Sequence, residues 1–279
     1  MPLPGGARIA VLVSVLMESW SEGKYPSYFP RTTALKPGAT DLSAARWSEY
    51  GGNEGVWRIV RILDHWRIKS TLMCNAISAE RYPDLIAQVV KSGHDVAGHG
   101  YAQDQYLLDF SPEEQRGLIH KSLDILERHA GRRPRGWTTP VYGGDRYTRD
   151  ILIQEGLSWH CDALDRSAPR VEQAAGGQIV AIPWCEFVDN RVLRGSPRDY
   201  FQVYRDTFDF LYAREPGSML HLAIHGHFGG RPLVAAMFDQ ILQHFASFSD
   251  VWFARHDELA QWAVTQPAEA LEYRHRFFT

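Results

Sequence analysis

Short apolar runs recur along this chain, and each hands over to polar residues at its C-terminal end. Arg8-Ile9-Ala10-Val11-Leu12-Val13-Ser14-Val15 leads to Glu18, Ser70-Thr71-Leu72-Met73-Cys74 to Asn75, and Asp95-Val96-Ala97-Gly98 to His99. Ser218-Met219-Leu220-His221-Leu222-Ala223-Ile224 leads to His225-Gly226-His227. Runs of this kind read as strands of a parallel α/β fold. The loops that leave the carboxyl ends of such strands open on one face, so these distant polar groups are expected to meet there.

Helical patterns fill the intervals. Residues 54–66 place Val56, Ile59, Val60 and Leu63 on one helical face. Ser78 is positioned to cap a helix reaching Ser92, with Gly93 as its stop. Ser111-Pro112-Glu113-Glu114 combines a capping serine, a proline at the first helical position and a glutamate closing the box; that helix should run to Ala130 and stop at Gly131. Further helices are expected over 145–155, 199–213, 231–245 and from Asp257, with strands over 157–162, 178–182 and 251–253. About seven β-α units with no linker between them predict one domain over 1–279, an α/β fold built as a distorted (β/α) barrel of about seven parallel strands. A doubly wound open sheet is the alternative, although Met17-Glu18-Ser19-Trp20 stands where its Gly-rich turn would be. Residues 19–50 are too long for an idle connection and are read as a loop over the barrel mouth, or as a contact with a partner.

Composition narrows the function classes. A net charge of −3 argues against nucleic acid or an anionic membrane as the main partner, leaving a small molecule as the expected one. No apolar run reaches the roughly 18 residues of a membrane span. The first residues lack the charged start of a secretory signal. Three cysteines, Cys74, Cys161 and Cys185, are too scattered for a disulfide framework, so a cytoplasmic location is expected.

The candidate chemistry lies at the strand ends. Glu18 follows a strongly apolar run, where desolvation should raise its pKa and suit it to act as a general base. His99, between Gly98 and Gly100, opens a polar strand-to-helix loop. His225 and His227 share one face if the chain stays extended; one is a candidate general acid, the other a substrate or supporting contact. Gly136-Trp137-Thr138-Thr139-Pro140 ends a strand in a turn able to aim backbone N–H groups at an oxyanion. Trp184 and Glu186 add an aromatic wall and a carboxylate. Glu18 and His99 could supply two zinc ligands, and His225 or His227 could complete the set only if the barrel mouth brings them close, but no H-x-x-x-H, H-E-x-x-H or C-x-x-C is present. No G-x-S-x-G elbow is present either.

These segments resemble the polysaccharide deacetylase (NodB-homology) superfamily, and within it the branch with metal-independent allantoinases and cyclic-imide hydrolases. The markers are Glu54-Gly55-Val56-Trp57-Arg58, Gly98-His99-Gly100-Tyr101, Arg133-Pro134-Arg135-Gly136-Trp137 and Ile224-His225. The resemblance implies a distorted barrel that hydrolyses a carbon–nitrogen amide bond. It also implies gaps. Leu16 stands at the superfamily's base aspartate and Glu18 at its metal-binding aspartate. His99 matches the first of two histidines four apart, and Gln103 replaces the second. The third motif's arginine falls near Thr138, and with Pro140 retained the oxyanion donor would be the N–H of Val141. His225 matches the histidine that protonates the leaving group.

The resulting expectation is ring opening of a small cyclic amide, imide or ureide without a required cofactor. In it Glu18 activates water, His99 orients the water or polarises the carbonyl, and His225 protonates the departing nitrogen. Trp20, Asn75, Tyr101, Gln105, Val141, Trp184, Glu186 and His227 would contact substrate. Two alternatives are a zinc-dependent deacetylase or deformylase and a non-catalytic metabolite-binding barrel. The resembling enzymes imply a homo-oligomer, a tetramer or dimer.

Overall fold

The computed structural model describes residues 2–31, 35, 36, 39, 41–174, 176–185 and 187–278. Its centre is β1, Ile9–Met17, whose nine residues are all buried. One edge of β1 pairs along its length with β8, Ser218–His225. The other edge is shared: β9, Val251–Ala254, takes Ile9 to Leu12, and β2, Thr71–Cys74, takes Ser14 to Met17. From β2 the sheet continues through β3 (Asp95–Gly98), β4 (Gly136–Trp137), β5 (Trp159–Ala163) and β7 (Gly177–Pro183) to β6 (Arg170–Ala174). All ladders are parallel except that of β6 with β7. The predicted α/β barrel is therefore the observed fold, curled but open along one seam between β7 and β8. Across that seam the His221 ring donates from Nδ1 to the Pro183 carbonyl at 2.9 Å, and the Tyr204 hydroxyl reaches the carbonyls of Phe187 (2.5 Å) and His221 (3.3 Å).

Alternation along β1 divides the core. Ala10, Leu12 and Leu16 face the barrel interior with Met73, Ala97, Trp159, Cys161, Val180 and Ile182. Ile9, Val11, Val13, Val15 and Met17 face the surrounding helices. This two-sided burial is why the strand reads as an unbroken apolar run rather than an alternating one. The helix His256–Val264 sends Leu259, Ala260 and Ala263 into the inner cluster and plugs the end of the barrel opposite the loops.

Local signals account for most boundaries. Ser111 caps the helix Pro112–Ala130 in a full capping box, and Gly131 ends it at φ 73°. Asp145 does the same for Arg146–Gln154. The single helix expected over 78–92 is instead two, Ala76–Arg81 and Pro83–Lys91, because Pro83 cannot continue a helix and restarts one at its first position. Ser78 is no cap; its hydroxyl donates to the Met17 carbonyl and the Ser19 hydroxyl. The last part of the segment read as a 19–50 loop is the helix Leu42–Tyr50, which passes through a π-helical turn, Gly51–Gly55, into the helix Val56–His65. No helix among the described residues is long and apolar enough to cross a membrane.

The π turn exists because its glycines lie against the loop that follows β8. A Cβ on Gly51 would approach the His227 amide nitrogen to 3.1 Å, and one on Gly55 would collide with the Gly226 carbonyl. Gly55→Ala is accordingly expected to destabilise the protein by about 1–3 kcal/mol through forced backbone displacement. Gly117→Ala, at an open position of the helix Pro112–Ala130 with nothing within 4 Å, should gain up to about 1 kcal/mol. Denaturant midpoints of the two variants test the contrast.

Candidate active site

The parallel register brings the strand ends together. Leu16 lies opposite His225 on one side and Met73 on the other, and Gly226 N–H donates to the Leu16 carbonyl at 2.9 Å. Glu18 thus leaves β1 between the ends of β8 and β2. The Asn75 side chain accepts from Ser19 N–H at 3.0 Å and donates to the His99 carbonyl, which frames the Glu18 turn. Glu18 Oε1 sits 3.5 Å from His99 Nε2 and 3.5 Å from His225 Nε2, while Oε2 lies 3.8 Å from His227 Nδ1. All four side chains are buried.

Each imidazole is oriented by its far nitrogen. His99 Nδ1 faces the Thr138 carbonyl at 2.7 Å and must donate to it, which leaves Nε2 as an acceptor in the neutral ring. His225 Nδ1 meets Asp189 Oδ1 at 2.5 Å, and the second oxygen of Asp189 accepts the His225 backbone N–H at 3.0 Å. His227 Nε2 meets the Tyr28 hydroxyl at 2.8 Å.

Burial disfavours a charge on His225, but the carboxylates of Asp189 and Glu18 outweigh it and push its pKa up to about 10. Burial likewise opposes the Glu18 charge, yet the charge of the His225 imidazolium and its polar contact hold this carboxyl well below the usual carboxylate range. This corrects the expectation of a raised Glu18 pKa: desolvation acts as anticipated, and the neighbouring cation overrides it. His227, where burial dominates, is lowered to about 3 and stays neutral. The site therefore rests as a Glu18–His225 ion pair beside a neutral His227. Glu18 Oε2, His99 Nε2 and His227 Nδ1 have no hydrogen-bond partner although all are buried, and all three border the same carboxylate. Such convergence marks a place for a water or a substrate atom.

The remaining predicted contacts divide. Trp20 packs edge-on against His227 at 5.4 Å and lines, with Glu18 and Tyr82, a cavity of about 300 Å³. Gln105, on the loop after His99, has a buried Oε1 without a partner. Val141 follows Pro140 in a tight turn at φ 58°, a left-handed conformation that is strained for a β-branched residue and holds its N–H in a set direction. Asn75 has its amide taken up by Ser19 and the His99 carbonyl, so it positions the rim rather than offering a free contact. Tyr101 turns away: its hydroxyl reaches Glu80, Lys121 sits 3.8 Å above its ring, and it packs on the outer cluster. Trp184 packs edge-on against His221 at 4.7 Å on the barrel seam. That is four residues below His225 on the same strand, about 13 Å from the rim. Glu186 lies outside the described residues.

Asp189 and Tyr28 were not anticipated. Asp189 follows β7 in the turn Asp189–Val192, so the rule applied to the other strand ends would have reached it had it been carried past Glu186. Tyr28 had no local signal. It belongs to the segment after β1 that folds onto the mouth, where Ser21 N–H donates to Asp104, Gln103 N–H to the Ser19 carbonyl, and Arg231 to the Trp47 carbonyl.

The donor set was weighed against a catalytic zinc, which takes three protein ligands and leaves one position open. Glu18 Oε1 and His99 Nε2 offer two. Gln103 stands at the expected third place with its Oε1 3.4 Å from Asn75 Nδ2, and the Glu18 oxygen is shared with the imidazolium of His225. A cation held there would lie beside a protonated ring. His227, which could also complete the set, reaches only the second Glu18 oxygen, at 3.8 Å, and among the described residues the rim gathers no three ligating atoms within 4.8 Å of one another, so these residues do not fit a three-ligand zinc site.

Comparison with known proteins agrees with this architecture. Residues 47–159 match the family model for polysaccharide deacetylase. The chain is similar to a PuuE allantoinase structure, with 28% identity, a TM-score of 0.84, and 95% of this chain and 93% of that one covered. It is similar to a probable polysaccharide deacetylase from Pseudomonas aeruginosa, with 27% identity, a TM-score of 0.84, and 95% and 94% covered. Among curated proteins, the peptidoglycan deacetylase of Helicobacter pylori is 21% identical, with 76% of this chain and 84% of that protein covered. The curled barrel, its acid-and-imidazole rim and the match over residues 47–159 thus make this chain similar to the polysaccharide deacetylases (NodB-homology), hydrolases acting on carbon–nitrogen bonds other than peptide bonds.

Proposed function

We propose that this protein hydrolyses the ring amide bond of a small cyclic amide, imide or ureide, and does so without a catalytic metal. The observation that carries the reading is the convergence on Glu18 of unpartnered polar atoms together with the Asp189–His225–Glu18 array. Base and acid stand in the required protonation states before substrate arrives, a carboxylate far below neutrality beside an imidazolium near pH 10. Two titratable groups pushed apart in this way are the signature of an acid–base pair.

Water bound against Glu18 Oε2 donates one proton to the carboxylate as its oxygen attacks the ring carbonyl. His99, oriented by its bond to the Thr138 carbonyl, takes the water's other hydrogen bond through Nε2, which favours water orientation over carbonyl polarisation. The N–H of Val141 is assigned to the developing oxyanion. Collapse of the tetrahedral intermediate breaks the carbon–nitrogen bond as His225 Nε2 gives its proton to the leaving nitrogen. Glu18, now protonated and 3.5 Å from His225 Nε2, returns a proton to it and restores the ion pair. Trp20, Gln105 and His227 would contact the ring.

Enclosure supports a small substrate over a saccharide chain. The catalytic side chains are 3–6% exposed, the adjoining cavity holds about 300 Å³, and Tyr28 and Trp47 tie the covering segment to His227 and Arg231. Turnover of a panel of cyclic imides, hydantoins and ureides, set against N-acetylated and N-formylated sugars and amines, tests the proposal. Ring opening unchanged by added zinc is expected. Release of acetate or formate, with no ring opening and a dependence on zinc, would overturn it.

A further inference from the structure

A second cluster of chemically able side chains lies in the barrel interior, well below the rim and with no part in the reaction above. His221 (β8), Cys161 (β5) and His256, at the start of the plugging helix, are fully buried and bring one sulfur and two ring nitrogens within 4.8 Å of one another. The two Nε2 atoms face each other at 3.1 Å. Ser14 Oγ, from β1, lies 2.7 Å from the His221 nitrogen and 3.1 Å from the His256 nitrogen.

We propose that Cys161, His221 and His256, with the Ser14 oxygen beside them, form a buried zinc site that ties the barrel core together. Thiolate and imidazole are the donors zinc takes in closed structural sites, at metal–nitrogen distances of about 2.0–2.1 Å. Tetrahedral ligands at that distance stand about 3.3 Å apart, close to the separations found here. The outer contacts follow the pattern of ligating histidines: His221 donates through Nδ1 to the Pro183 carbonyl, and His256 Nδ1 meets the Thr71 hydroxyl at 2.9 Å. Both rings thereby turn Nε2 toward the common point. A purely hydrogen-bonded chain, His256 to Ser14 to His221, would satisfy the rings and the hydroxyl and leave the thiol to the Thr138 side chain. Binding would release the thiol proton to solvent as the sulfur takes the metal.

The site also answers a weakness in the fold. β7 and β8 share no ladder among the described residues, and the seam depends on side-chain bridges, one of them from His221. A metal held by β1, β5, β8 and the plugging helix would fasten three strands and the barrel's closed end beside that seam. A cavity of about 620 Å³ with His221, Pro183 and Trp184 in its wall opens there and supplies a path of entry.

Cobalt substitution of the wild-type protein provides the first test, since it needs no variant. One tightly held equivalent with thiolate-to-cobalt charge-transfer absorption and tetrahedral d–d bands is expected. Zinc analysis of dialysed protein gives the second: one equivalent in the wild type and in the Glu18→Gln/His99→Ala double variant, and none in Cys161→Ser. A wild-type cobalt spectrum without charge transfer, or full zinc retention by Cys161→Ser, would overturn the core site in favour of the hydrogen-bonded chain. Zinc kept by Cys161→Ser and lost by the double variant would place the metal at the rim, overturning this inference and the metal-free mechanism together.

Discussion

Glu18→Gln is expected to lower kcat for ring opening by about 10²–10⁴-fold, the range typical for losing a positioned general base. Glutamine keeps the size of the side chain and removes both its charge and its ability to take a proton from water. It also removes one of the two carboxylates that hold His225 protonated, so the acid is weakened with the base. Steady-state kinetics on the most rapidly opened ring, with circular dichroism to confirm folding, provide the measurement. Activity within a factor of a few of the wild type would show that Glu18 is not the base.

Asp189→Asn should act through His225 and reveal itself in the pH profile. In the wild type His225 must carry a proton, so kcat/KM is expected to hold its plateau through neutrality and fall only as pH rises toward about 10. The acidic limb, set by a Glu18 carboxyl far below its ordinary value, should lie in strongly acidic solution. Without the Asp189 charge at 2.5 Å, burial pulls the His225 pKa down and the basic limb moves to lower pH. At neutral and alkaline pH the variant should lose about 10²-fold or more in kcat, as the acid component of such catalysis implies. Part of the loss should return as the pH is lowered. A uniform fall in rate with an unmoved basic limb would mean that Asp189 merely supports the fold.

The two variants probe different failures of one array. Glu18 contacts the attacking water in the mechanism, whereas Asp189 hydrogen-bonds to the His225 ring and backbone and acts by positioning and charge. Tyr28 holds a comparable place beside His227, and through it the segment after β1 is joined to the chemistry. The segment that covers the site thus also orients His227.

Much of this was legible in the chain. The strand pattern, the capped helix from Ser111, the helix from Asp145, and the meeting of Glu18, His99, His225 and His227 at one rim all followed from periodicity, end signals and the rule that parallel strands present their ends together. These are local or topological properties, and each is written in a few consecutive residues. Contacts assigned from the same loops fared less evenly. Tyr101 and Trp184 are the aromatic residues such a reading selects, yet one packs on the outer cluster and the other against His221 in the seam, because a ring one to three residues past a strand end can turn either way.

What the amino-acid order determined by itself was which segments become strands and helices, and hence which groups stand at the barrel mouth, since burial periodicity and end signals act over a few residues. Only the tertiary structure decided the charge state of those groups. The pKa of Glu18 depends on an imidazolium from β8, and that imidazolium depends on Asp189 from the far side of the seam. Coulombic coupling falls with distance in space and takes no account of separation along the chain. The same holds inside the barrel, where Cys161, His221 and His256 converge from three elements that no local pattern connects.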